Sequence, residues 1–313
     1  MARQRKRKGD PVHGWLVLDK PLDMTSTQAV GLTKRLLNAQ KAGHGGTLDP
    51  LASGILPIAF GEATKTSAWA MDAEKDYVFT IEWGTSTDSQ DKEGETIATS
   101  DARPTVDQVE AALEAYRGEI EQVPPKFSAI KVNGERAYDL ARDGETFELE
   151  SRPVTIHDAK VTDMPDADHT EIHVITGKGF YVRALARDLA FDLRCEGHIS
   201  ALRRTRVGEF TLEDAIQPDA LEAKEDLNER RETLLPLETA LDNLPPVDLA
   251  PGDADLLKQG RTVKLLPHAV EAWRADLRSD REDRMAVAMD GETALALGEV
   301  RAGQFKPTRV FQV

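Results

Sequence analysis

Cysteine is almost absent. The 313-residue chain has one, Cys195, so no internal disulfide can form and a reducing cytoplasm is the expected compartment. Long apolar runs are missing too: stretches such as Ile55 to Phe60 fall far short of the ~20 residues a membrane helix needs, and Pro57 interrupts that one. No membrane contact is expected. The opening MARQRKRK is basic but lacks an adjoining apolar stretch, so it reads as neither a secretory signal nor an anchor. Positive charge is in deficit, with 40 Lys and Arg against 55 Asp and Glu, which taken alone argues against a phosphate-rich partner. The deficit is uneven. Residues 1–41 carry nine Lys/Arg against three Asp/Glu and residues 178–206 seven against three, whereas residues 211–260 carry four against thirteen. A local basic surface on an acidic protein stays open, beside the plainer reading of a solvated charged face.

What is present is pattern. GWLVLDKP begins as a strand that Pro21 must end, leaving Asp19 and Lys20 at its exit. TSTQAVGLTKRLL offers Ser/Thr caps with Val30, Leu36 and Leu37 at helical spacing. YVFTIEWG alternates Tyr77, Phe79, Ile81 and Trp83 with Val78, Thr80 and Glu82, a half-buried strand. PTVDQVEAALEAYRG sets Thr105 and Gln108 at capping-box spacing, puts Val106, Val109, Leu113 and Tyr116 on one stripe and stops at Gly118. Asn133-Gly134 turns between short arms, an exposed hairpin or flap over about 124–152. EIHVITGKGFYVRALARDLAFDL reads strand, glycine turn, helix, with Val182, Leu185, Leu189 and Leu193 facing inward and Arg183 and Arg187 sharing another face. After NLPPVDLAPGD, the stretches MAVAMDGETALALGEV and KPTRVFQV alternate as strands around Asp290-Gly291. The expectation is an α+β fold: a basic tail over 1–13, a domain over 14–242 on a mixed, largely antiparallel sheet, and a small β-rich domain over 243–313.

Several chemistries fail on inspection. The glycine-rich stretch 43–61, GHGGTLDPLASGILPIAFG, has no Gly-Lys-Ser/Thr at phosphate-loop spacing, and Asp49 would repel a phosphate. His169 and His173 sit in a strand-like stretch without the companions of a zinc signature, and read as surface histidines. Cys195 near His198 invites a thiol nucleophile, yet a buried structural thiol is the commoner case. Asp49 differs. Pro50 pushes it into extended backbone, the upstream glycines allow close approach, and its carboxylate is ionised at neutral pH. A turn-capping aspartate is the plain alternative.

The stretches GWLVLDKPLDMTS, GHGGTLDPLASGILPIAFGEATK, KDYVFTIEWG, QVPPKFSAIKVNGERAYDLARDGE, GKGFYVRALARDLA and HISALRRTRVG follow one another over residues 14–208. In kind and order they closely resemble the TruB family of tRNA pseudouridine-55 synthases. Gly45 stands where many members carry threonine, a change expected to loosen the loop slightly. The tail resembles the family's small PUA-like RNA-binding domain less closely.

The resemblance implies a pseudouridine-synthase fold that isomerises the T-loop uridine of tRNA by base flipping, with no cofactor and no metal. Asp49 becomes the catalytic carboxylate. His44 is the wedge that replaces the extruded base, Tyr77 stacks on the held uracil, Arg183 pairs with the acid, Lys20 braces the pocket and Leu202 walls it from water. The flap closes over the RNA. Its cations, with those of residues 1–41 and 178–206, are expected on phosphates. A cytoplasmic monomer acting on the T stem-loop without an obligatory protein partner follows. Two rivals stand beside this. One is a non-catalytic tRNA-folding chaperone using the same surface, against which intact Asp49, Tyr77 and Arg183 argue. The other is a two-carboxylate glycoside hydrolase, for which the matched motifs supply no second acid, although distant acids could converge.

Overall fold

Alternation of apolar and polar side chains sets the main sheet. The computed structural model describes residues 9–128, 130–132, 134–276 and 284–312. Strand β1 (Gly14–Lys20) is buried on both faces: Leu16 and Leu18 enter one core cluster, Trp15 and Val17 another. That explains its unbroken apolar run. Helix α1 (Ser26–Leu36) follows, closed at its start by a Thr25/Gln28 capping box. Strands β2 (Ala42–His44) and β3 (Ala52–Phe60) flank the loop of residues 45–51. Most of the glycine-rich stretch is therefore sheet and not a free, flexible loop. Even Pro57 sits mid-strand opposite Val17, its carbonyl accepting the Gly45 N–H at 2.8 Å.

Helix α2 (Ser67–Asp72) leads to β4 (Lys75–Trp83), whose alternate residues are buried as the pattern predicts. A hairpin of β5 (Thr85–Thr87) and β6 (Thr96–Thr99) comes next. Helix α3 (Val106–Glu114) has the expected Thr105/Gln108 box and buries Val109 and Leu113. Val106 departs from the predicted stripe and is 39% exposed, because the helix meets the core only from its second turn. After β7 (Gly118–Gln122) the flap carries β8 (Lys131–Val132), β9 (Glu135–Arg136) and α4 (Ala137–Arg142). Gly134 takes a left-handed φ of 95° at its turn. Asn133 lies outside the described residues, as do residues 1–8 of the basic tail.

Strands β10 (Arg152–Asp166) and β11 (His169–Thr176), helix α5 (Val182–Asp192), β12 (Gly197–Val207) and β13 (Phe210–Thr211) complete this layer. The nine-stranded sheet runs β1-β3-β12-β4-β11-β10-β7, with β2 on β3 and β13 on β12. Among its described pairs only β3 and β12 run parallel. Phe79, Ile81 and Trp83 of β4 pack with Val109 and Leu113 of α3 and Leu185 and Leu189 of α5. Each such side chain contributes about 1.5–3 kcal/mol when fully buried.

Helices α6 (Pro218–Ala223) and α7 (Leu227–Arg231) lead to the smaller part. There β14 (Pro246–Asp248), α8 (Asp253–Lys258), β15 (Val263–Lys264), α9 (Pro267–Asp276), β16 (Met285–Asp290), β17 (Thr293–Arg301) and β18 (Gln304–Val310) follow. Its five strands are ordered β14-β16-β17-β18-β15. Val287, Leu297 and Phe311 pack with Trp15 and Val17 of β1. Lys65 donates to the Val310 carbonyl at 2.7 Å, and the Arg309 guanidinium lies 5.4 Å from the Trp69 ring centre. Among the described residues no helix is long and apolar enough to cross a membrane.

Candidate active site

Register brings the candidate residues together. Lys20 of β1 stands opposite Gly54 of β3, Gly54 opposite Arg204 of β12, and Arg204 opposite Tyr77 of β4. Paired residues in a sheet project to one face, so a single cross-strand row carries Lys20, Arg204 and Tyr77. Gly54 has to be glycine in that row: its φ is 102°, and a Cβ there would lie 2.1 Å from the Arg204 carbonyl oxygen.

Asp49 lies in the loop between β2 and β3. Its Oδ2 is 2.9 Å from Arg183 Nη2, and the Arg183 side chain, in the first turn of α5, is only 6% exposed. Arg183 is thus no solvated surface cation. The same guanidinium reaches Asp91 at 3.5 Å and donates to the carbonyls of Ser89 (3.0 Å) and Phe127 (2.9 Å). A cation held at four points keeps the Asp49 carboxylate aimed.

Lys20 is fully buried, and its Nζ donates to the carbonyls of Met24 (2.7 Å), Pro21 (2.8 Å) and Pro50 (3.3 Å). Burial pushes its ammonium down to about 8, Arg204 adding to the shift while Asp49 opposes it. Half-buried His44 closes β2, its Nδ1 without a hydrogen-bond partner among the described residues. Burial first, then the Arg204 charge, hold its imidazole below the usual value, leaving it neutral at pH 7. Tyr77 and Leu202 are buried, Leu202 opposite Phe79 of β4 and Ala52 of β3. Tyr181, just ahead of α5, joins the site: burial raises its phenol, Asp49 adds to the shift, and Arg183 opposes it.

Besides Tyr181, two residues escaped the sequence reading. Asp91, on the β5–β6 turn, is the second acid that the matched motifs lacked. Its oxygens accept from Ser89 Oγ (2.6 Å) and the Glu93 N–H (3.1 Å) besides meeting Arg183, an anion occupied in holding structure. Arg204 is the other. It follows Leu202 by two in a strand, the parity that puts it on the same side as Leu202.

Two expectations are corrected. Gly45 does not loosen the loop: it is buried, and a Cβ there would come within 2.8 Å of Ala70 Cβ and 3.3 Å of the Trp15 ring. The cations of residues 178–206 are less free than their count suggests. Lys178 meets Asp72 (3.1 Å), Arg187 meets Asp188 (2.7 Å), Arg203 grips Asp19 through two 3.0 Å bonds, Arg206 meets Asp76 (2.7 Å), and Arg204 is buried. Arg194 stays exposed and the Lys178 pair lies largely in solvent, so folding engages most of these cations but not all.

The remaining candidates stay apart from the site. His169 and His173 line the half-exposed side of β11 beside Asp166 and Asp76. Cys195 is buried and its thiol pushed up to about 11, chiefly by burial, an unreactive state. Among the described residues no three His, Cys, Asp or Glu side chains converge on a metal position. A cleft of about 1550 Å³, which Asp49 does not line, opens between flap residues 144–149, the β5–β6 hairpin and the outer end of α5.

Comparison with known proteins bears on the chain as a whole. Residues 34–182 match the TruB family pseudouridylate synthase N-terminal domain, and residues 183–242 match the tRNA pseudouridylate synthase B C-terminal domain. A Caulobacter vibrioides protein described as tRNA pseudouridine synthase B is 58% identical over 312 residues, 99% of both chains. One of the same description from Bradyrhizobium diazoefficiens is 50% identical, covering 100% of this chain and 89% of that one. Among solved structures, a Cbf5-Nop10-Gar1 complex superposes with a TM-score of 0.74 at 23% identity, over 99% of this chain and 92% of that one, a likeness of fold. With relatives this similar along its whole length, the chain belongs to the TruB family of pseudouridylate synthases.

Proposed function

We propose that the protein isomerises the T-loop uridine at position 55 of tRNA to pseudouridine, with Asp49 as the catalytic carboxylate. The bond between the sugar and N1 breaks, the uracil turns and a bond from the sugar to carbon 5 forms; carbon 5 gives up its proton and N1 takes one up, so no atom is lost overall and no cofactor or metal is called for. The target nucleotide must first leave its stack, and a neutral His44 is suited to filling the gap. Tyr77 then stacks on the freed base without fixing its orientation. Arg183 keeps Asp49 ionised and aimed, while Leu202 and the buried row behind it exclude water from the reacting atoms. Lys20, bonded to the Pro50 carbonyl, steadies the loop just past Asp49.

The observation that carries this reading is the 2.9 Å contact of Asp49 with a nearly buried Arg183, beside the row holding Tyr77. The flap closes over the T stem-loop, the part beyond residue 242 adds RNA contacts, and the enzyme works in the cytoplasm as a monomer without an obligatory protein partner. Incubating purified protein with a bare T-stem-loop transcript, followed by digestion to nucleosides, tests it. Pseudouridine at one position is the expected product. Free uracil would favour the hydrolase, and unchanged nucleosides with altered tRNA folding the chaperone.

A further inference from the structure

Arg204 is 1% exposed, and among the described residues no carboxylate pairs with it. A buried cation without a counter-charge is costly unless its donors are hydrogen-bonded. Its retention asks for a reason. Each nitrogen of the guanidinium is spent on a backbone carbonyl: Nε on Ile55 (2.8 Å), Nη1 on Thr47 (3.2 Å) and Nη2 on Gly46 (3.2 Å). One planar head thus ties the first residues of the Asp49 loop to strand β3.

The rest of the loop is held in turn. Ser26 Oγ donates to the Leu48 carbonyl and accepts the Leu48 N–H, both at 2.9 Å. Arg183 holds Asp49. Past it, the Pro50 carbonyl accepts from Lys20 at 3.3 Å and from the Asp23 N–H at 2.9 Å. Lys20 and Arg204, in the same cross-strand row, therefore hold the two arms of one loop from a common strand bed. Gly46 takes a φ of 125°, a backbone setting that glycine reaches readily and other residues only under strain, and a Cβ there would meet Arg204 Nη1 at 3.8 Å.

We infer that Arg204 is a positioning residue for catalysis, its three-point grip on Gly46, Thr47 and Ile55 setting where the Asp49 carboxylate stands against Arg183. This rests on the catalytic reading of Asp49. A lysine offers one head in place of three spaced donors and reaches one carbonyl well; a methionine reaches none.

The test measures single-turnover pseudouridine formation, T-stem-loop affinity and melting temperature for wild type, Arg204→Lys and Arg204→Met, with Asp49→Asn as the inactive control. A shift of about 1 Å in a catalytic group costs on the order of 100-fold in rate, so Arg204→Met should lose about that much while RNA affinity stays within about threefold. Arg204→Lys should fall between. A folded Arg204→Met with the wild-type rate overturns the inference, as does a parallel fall of rate and affinity, or failure of both variants to fold. Should wild type itself make no pseudouridine, the functional reading fails separately. Amide exchange at Leu48 then decides the clamp: faster exchange in Arg204→Met at an unchanged melting temperature upholds it, and unchanged exchange overturns it.

Discussion

The Asp49 loop and the flap face the same space and are held in opposite ways. From Gly46 to Pro50 every residue is bonded by a side chain from another element: Arg204, Ser26, Arg183 or Lys20. In the flap, α4 buries only Ala137 and Leu140, and residues 145–151 take neither helix nor strand. Its base is tied down, through the Phe127 carbonyl on Arg183 and the edge-on Phe127–Tyr138 ring contact. On the proposed function the difference is a division of work: chemistry needs groups set in advance to fractions of an ångström, whereas gripping an RNA tolerates, and uses, a segment that adapts to it.

The sharpest way to break that comparison is Asp49→Asn. The amide keeps size and shape but can neither act as the carboxylate nor form the ion pair. Turnover should fall by on the order of 10⁴-fold or more, while T-stem-loop affinity, carried by other surfaces, changes only a few-fold. Rate and affinity measured on the same preparation decide it; a variant with unimpaired turnover removes the loop from the chemistry.

Stability should show the same asymmetry. Phe79 is 1% exposed under α5, whereas Tyr138 on the flap is 46% exposed. Phe79→Ala is expected to cost about 3–5 kcal/mol and Tyr138→Ala no more than about 0.5 kcal/mol, read from urea or thermal unfolding. Comparable losses would mean that the flap belongs to the cooperative core.

The held half of the molecule was the more legible in sequence. Period-two alternation located β4 and its inward Tyr77, and cap spacing located α1 and α3, because each signal is local. What sequence missed depends on register. Nothing in the order of residues says that β12 lies parallel to β3 and antiparallel to β4, yet that pairing is what places Arg204 between Gly54 and Tyr77. Asp91 was hidden for the same reason: it enters on a hairpin turn whose distance from Arg183 only the fold defines. Charge counting failed in the basic stretch 178–206, since a count cannot tell a solvated arginine from one already gripping Asp19 or Asp76.

Titration sharpens the comparison at one buried group. Lys20, held down to about 8 from an ordinary 10.5, loses its proton as pH rises through about 8, and the ammonium that holds the Pro50 carbonyl becomes a neutral amine. Activity should decline above about pH 8. In Lys20→Met that alkaline limb should be gone from an already reduced rate. Stability moves the other way: the unfolded chain keeps this proton up to about 10.5, so Lys20's contribution rises with pH between about 8 and 10.5 and its penalty is full below. A pH–rate profile beside pH-dependent melting separates the two; an alkaline limb surviving in Lys20→Met assigns it to another group.

The smallest expected effect lies on the flap. With the cations of residues 178–206 largely engaged, phosphate contacts fall to exposed ones such as Lys131 at the flap hairpin. A phosphate contact releases counterions, so removing one lowers the slope of log K against log salt by about 0.7–0.9. Lys131→Ala should therefore weaken T-stem-loop binding a few-fold at low salt, by the same factor for every loop sequence, and leave the rate at saturating RNA unchanged. Binding titrated from low to high salt reads that slope. A slope equal to wild type, or a rate that falls with affinity intact, would move Lys131 from the gripping side of the comparison to the positioning side and leave the division between loop and flap without its simplest support.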